Sequence, residues 1–174
     1  MGRIMIHWLV RLNDALGTLA IWASGALLLY VVGHVSVEIV VRSFFDFSTH
    51  SMDEFVGYGV GAMTFLSLSY TFRARKHIRV SILQAFVRGR LAVAVEILCI
   101  VLTFAITAFL ARYIFRTFAR DWNRGTVSPT LTETPIWIID GVILLGLILF
   151  LLQLLTSLVL TIRDGVPDPA PTEA

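Results

Sequence analysis

Long apolar runs alternate with short polar or charged segments along this chain. Four of the runs approach or exceed the roughly 20 residues that a helix needs to cross a hydrocarbon core about 30 Å thick. The first lies between Ala15 and Val41, interrupted only by His34 and Glu38. The second, from about Phe55 to Phe72, has no charge but carries Gly57, Gly59, Gly61, Thr64, Ser67, Ser69 and Thr71. The third runs from about Leu91 to Ala111, with Glu96 near its start, and the fourth from about Ile136 to Ile162, with Asp140 near its start. Backbone polar groups must find internal partners in lipid, and none of the runs shows period-two alternation. The pattern therefore predicts helices rather than barrel strands. The expected fold class is an all-α membrane protein with four transmembrane helices. The 27 residues from Ala15 to Val41 would reach about 40 Å, so the long runs must tilt or extend past the bilayer.

Ahead of the first run, Met1 to Asp14 is amphipathic. Ile4, Trp8, Leu12 and Leu16 share one face, with Arg3, His7 and Arg11 nearby. This pattern predicts a short helix lying in the membrane interface. Its charged region and the apolar run after it are both too long for a signal peptide. The tail from Asp164 to Ala174, with three prolines and three acids, is expected to be disordered. Residues 1–163 then form a single membrane domain.

Composition agrees. Of 174 residues, 57% are apolar and 15% charged, with a mean hydropathy of +0.82, against about 45–50% and about 25% in soluble domains. Cys99 is the only cysteine, which excludes an internal disulfide scaffold. The net charge of +2 reports orientation in such a protein and implies no nucleic acid. Arg3, Arg11, Arg73, Arg75, Lys76, Arg79, Arg88, Arg90 and Arg163 lie on one side; Arg42, Arg112, Arg116, Arg120 and Arg124 lie on the other. The more basic side is the cytoplasmic one, so both termini are expected there. The four arginines after the third run recur every four residues, as one stripe of a helix continuing out of the membrane toward a partner or lipid headgroups.

Little catalytic chemistry is legible. His34 alone lies inside a run, which does not supply paired haem ligands, and one cysteine with scattered histidines gives no zinc spacing. Gly57-x-Gly59-x-x-Ala62 matches a loose dinucleotide fingerprint, but it lacks the preceding strand. Gly57 and Gly61 read better as a small-xxx-small packing pair. Glu38 and Arg42 are spaced for an i,i+4 ion pair. Glu96 is placed to meet a loop arginine, and Asp140 suits a helix N-terminus. The two informative segments are the basic loop around Arg73 and the polar loop from Gly125 to Trp137, which is broken by Pro129 and Pro135.

Several short matches, in order and with the right spacing, carry a resemblance. Glu38-x-x-x-Arg42 is followed by Phe44 and Phe45; Asp53-Glu54-Phe55 by Tyr58; then come Arg73-x-x-x-His77-Ile78-Arg79-Val80 and the series Ser128, Leu131, Pro135, Trp137. The chain resembles the small membrane subunit, DctQ-like, of tripartite ATP-independent periplasmic (TRAP) transporters. Ser81 stands where that family usually has Asp, and Asp140 precedes Gly141 where a second proline is usual.

The resemblance implies a non-enzymatic scaffold in the bacterial inner membrane, with no cofactor. It would sit beside a large membrane transport subunit that carries the substrate and sodium sites, fed by a periplasmic substrate-binding protein that captures an organic acid. Under it, Trp8, Trp137 and the loop cations Arg73, Arg75, Lys76, His77 and Arg79 contact membrane lipids. The face of Gly57 and Gly61 packs within the complex. The loop from Asp121 to Pro135, with Arg120, Arg124, Ser128 and Pro135, meets the delivering protein, and Glu54 and Tyr58 are further candidate contacts to a partner or lipid. Two other classes stay open on the residues alone: a self-sufficient small transporter using Glu38 or Glu96, and a membrane anchor of a redox complex.

Overall fold

A computed structural model describes residues 2–45, 52–74, 90–130 and 132–164. It is built from four helices: α1 (Gly2–Phe45), α2 (Met52–Arg73), α3 (Arg90–Arg124) and α4 (Ile136–Asp164). Three contain stretches long and apolar enough to cross a membrane, Val10–Phe44, Leu91–Arg124 and Ile136–Arg163. α2, with its glycines and hydroxyls, does not qualify with them on composition.

The N-terminal amphipathic segment is not a separate helix. It forms the first turns of α1, which continues without a break for 44 residues. No proline interrupts Met1–Asp14 or the run after it, so nothing ends the ladder of i→i−4 bonds between them. Trp8 lies in these turns, where the side chains fall outside the described set. At 1.5 Å per residue α1 is about 66 Å long, well beyond the roughly 40–45 Å of a whole bilayer.

α2 folds three of its hydroxyls back on itself. Thr64 donates to the Val60 carbonyl at 2.7 Å, Ser67 to Thr64 at 2.9 Å and Thr71 to Ser67 at 2.8 Å. This back-bonding satisfies groups that lipid would leave unpaired. Asp53 and Glu54 in its first turn and Arg73 in its last complement the helix dipole.

The helices pack as a row. α1 lies on α2, α2 on α4 and α4 on α3, and α1 also touches α4 lightly. α2 and α4 form the middle. One buried cluster joins Ala20, Leu66 and Leu149 across α1, α2 and α4; another joins Ile100, Phe150 and Leu154 across α3 and α4. Phe72 meets Phe150 edge to face at 5.7 Å. At the two ends of the row large apolar side chains face outward, among them Trp22 and Leu29 on α1 and Ile106 and Phe109 on α3. Lipid tails are as apolar as leucine, so close backbone approach must hold such helices together. The approach is made at Gly146, where a Cβ would stand 2.6 Å from the Phe65 carbonyl, and at Gly59, where it would strike the Val31 side chain. Gly57 faces open space, and Gly61 has only Ile143 at ordinary contact distance. Within this chain the tight seam is therefore formed by Gly59 and Gly146.

Candidate functional site

Two groups of polar contacts tie one element to another near the ends of the helices, one at each side of the bundle along the helix axes. At the end that holds the α3–α4 connection, the chain leaves α3 through a Schellman cap. Gly125 takes φ +59°, its N–H meets Trp122 O at 3.4 Å, and the Thr126 N–H meets Asp121 O at 3.1 Å. The connection then pairs with itself. Val127 bridges Pro135 antiparallel, Ser128 N–H donates to Thr134 O at 2.9 Å, and Ile136 N–H donates to Thr126 O at 3.2 Å. Pro135 has no N–H to satisfy and immediately precedes the first residue of α4, as its fixed φ favours.

Glu54, in the first turn of α2, fastens this connection from across the molecule. Its Oε2 accepts from the hydroxyls of Thr130 and Thr132, the second at 2.8 Å, and its Oε1 accepts from the Tyr58 hydroxyl one turn on, also at 2.8 Å. Ser128, which is buried, lies with its Oγ 3.1 Å from the Thr130 hydroxyl. Glu54 stands just ahead of the apolar run of α2. The Thr130 hydroxyl above all holds its carboxyl down to about 2; desolvation pulls the other way, and the other hydroxyls add to the lowering. Glu54, Tyr58 and Ser128 are thus brought together. Thr130 and Thr132 complete the group, and the polar composition of the loop was their only trace in the sequence.

Beside this clamp, Arg120 Nε lies 3.2 Å from Asp121 Oδ1, and Thr126 donates to the same oxygen at 3.2 Å. Trp137 meets Trp122 edge to face with ring centroids 4.5 Å apart, and Phe118 lies 6.1 Å from Trp122. Arg124 is exposed at the end of α3.

At the opposite end, Arg73 reaches from α2 to α1. Its Nη1 donates to the Asp14 carbonyl at 2.9 Å and lies 3.2 Å from the Asp14 carboxylate, with the guanidinium 5.6 Å from the Tyr70 ring. Nearby, Asn13 donates to Gln153 at 2.6 Å in a buried bond between α1 and α4, and to Thr156 at 3.3 Å. Arg73 stands out in the sequence as part of a basic loop, whereas nothing there marks Asp14 or Asn13 as the end of a cross-helix contact. Arg75, Lys76, His77 and Arg79 lie outside the described residues, as does Leu131.

Glu38 is buried in α1 while Arg42, one turn on, is exposed; Glu96 is half-buried in α3. His34 lies between rings, 5.8 Å from both Tyr30 and Phe55. Among the described residues no group of three or more His, Cys, Asp and Glu could hold a metal ion. What these contacts do is fix shape. One carboxylate pins a loop, and one guanidinium pins a helix.

The family model described as "Tripartite ATP-independent periplasmic transporters, DctQ component" matches residues 31–164, more than three quarters of the chain. No curated protein and no solved structure matches it.

Proposed function

The chain belongs to the DctQ component family of tripartite ATP-independent periplasmic transporters, and we propose that it serves as the static scaffold of a sodium-coupled, binding-protein-dependent importer of an organic acid or related solute. Membership makes it a small membrane component of a transporter, in a family that is not a family of enzymes. The scaffold role is carried by one observation: the loop between α3 and α4 is tied across the molecule to α2 by the hydroxyl bonds on Glu54. A loop held in this way presents a fixed surface. The described helices also run without the unwound centres from which transporter sites are built.

In this reading all four helices cross the inner membrane, α2 among them, sheltered between α1 and α4. Both termini are cytoplasmic, and the Glu54 end faces the periplasm. The large membrane subunit carries the substrate and sodium sites and packs against the scaffold, with the open face of Gly57 and Gly61 as one contact. The periplasmic binding protein docks near Arg120, Arg124 and the clamped loop. Trp8, Trp137 and the cations from Arg73 to Arg79 engage lipid, and Glu38, Arg42 and Glu96 serve as structural ion-pair groups.

The test is affinity capture of this chain from solubilised native membranes, with mass spectrometry of what accompanies it. A large multi-helix membrane subunit in stoichiometric amount is expected. The chain emerging folded, alone and self-associated, with solute uptake when reconstituted by itself, would overturn the scaffold reading in favour of a self-sufficient transporter.

A further inference from the structure

Of the four arginines in the last turns of α3, Arg112, Arg116, Arg120 and Arg124, two are accounted for near the loop. Arg120 pairs with Asp121, and Arg124 closes the capped last turn. Arg112 and Arg116 differ. Both are exposed, and among the described residues neither forms a salt bridge. They lie on an edge helix that packs against α4, and the exposed face leading to them is apolar. Leu98, Leu102, Ile106, Phe109 and Tyr113 follow at steps of three or four residues, one continuous stripe. Arg112 and Arg116 flank the end of that stripe.

Their depth follows from α4. Phe118 packs on Gly141, where a Cβ would be 3.3 Å from its ring. Gly141 is one turn past Trp137; α3 runs antiparallel to α4, so Arg116 and Arg112 lie about 3 and 9 Å further in than Phe118, level with the first three turns of a helix long and apolar enough to cross a membrane. A guanidinium at that depth needs an anion. The abundant one is the lipid phosphate, which suits the planar fork of arginine.

We propose that Arg112 and Arg116 bind the phosphate of an anionic phospholipid in the leaflet on the α3–α4 loop side, with its acyl chains lying along the Leu98–Phe109 stripe. The site anchors the free edge of the row at a fixed depth. It stands independently of which transporter subunit the chain serves.

The test uses the full chain reconstituted in phosphatidylcholine vesicles containing a photoactivatable phosphatidylglycerol. Wild-type adducts are expected to concentrate between Leu102 and Arg116. Adducts spread evenly over α1 and α3 would overturn the site without recourse to any variant. In a titration, R112Q/R116Q should lose apparent affinity for phosphatidylglycerol roughly thirtyfold, each cation near an anionic surface being worth about fivefold. R112K/R116K should retain most of it. Inorganic phosphate at equal concentration should not compete; competition would refute the lipid source. Unchanged lipid affinity in R112Q/R116Q, together with reduced recovery of a large membrane subunit from native membranes, would assign the arginines to a protein contact and overturn the proposal.

Discussion

The two ends of α2 are both fastened by one charged side chain, but in different ways. At the N-terminal end Glu54 takes hydroxyls from its own helix and from a loop more than seventy residues away. At the C-terminal end Arg73 holds the carbonyl and carboxylate of Asp14 on the neighbouring helix. The Glu54 fastening is a charge surrounded by neutral donors and shapes a loop. The Arg73 fastening is an ion pair, with the two side chains 36% and 39% exposed, and it only reinforces a helix contact that packing already makes. Each charge sits at the terminus where the helix dipole favours it, so both could be recruited as cross-links without opposing the helix. The least apolar helix is thereby the one best tied to its surroundings.

Both fastenings act on a helix that is firmly seated between its ends, and the largest expected effect comes from unseating it. Gly146→Leu puts a side chain into the Phe65 backbone. It should cost about 3 kcal/mol, read as a lowered thermal unfolding midpoint in detergent. Wild-type stability in that variant would refute the Gly146 seam.

Glu54→Ala should come next and should be local. Amide exchange across residues 126–134 should accelerate roughly tenfold, while exchange in α1 and α4 is unchanged. Global loosening instead would mean that the clamp holds the helices and not only the loop.

A pH series sharpens the same point. Glu54 ionises near 2 when folded, against an ordinary 4.5. The folded value is the lower, so the clamp's contribution is fully present above about 4.5 and is lost as pH falls toward 2. Loop exchange, corrected for its intrinsic pH dependence, should be flat from pH 8 to 5 and rise below that window. A transition near neutrality would contradict the assignment.

Arg73→Gln should cost under about 1 kcal/mol, as exposed pairs do. Half-molar salt should erase most of the difference from wild type while leaving the Glu54 loop protected. The smallest effect on the chain itself is expected from Gly57→Leu with Gly61→Leu, because little stands within reach of either. Their unfolding midpoint should stay near wild type while recovery of the large subunit falls. Undiminished recovery would remove these glycines from that contact.

Much of the helical layout was legible. The start of α4 at Ile136 could be read from Pro135. The four-residue recurrence of arginines announced that α3 runs on past Ala111, and it does so to Arg124. The amphipathic N-terminus was misleading for a physical reason. An amphipathic pattern reports which face meets water, not whether the helix stops, and no breaker separates it from the apolar run. Within the chain the seam is made at Gly59 and Gly146, while Gly57 and Gly61 are left open to a partner. All three glycines of α2 look alike until the direction of the neighbouring helix is known.

That this chain is helical, roughly where its helices lie, and which residues carry charge at their ends all follow from the order of its residues. Lipid leaves a backbone no other way to satisfy its hydrogen bonds, and that demand is written in each run separately. The order of the row, the seam at Gly146 and the pairing of Glu54 with Thr130 and of Arg73 with Asp14 arise only when the helices pack. In a bilayer a leucine facing a helix and a leucine facing lipid are equally apolar, so hydropathy carries no record of which faces meet. A carboxylate finds its donors only once distant segments have been brought within hydrogen-bond reach.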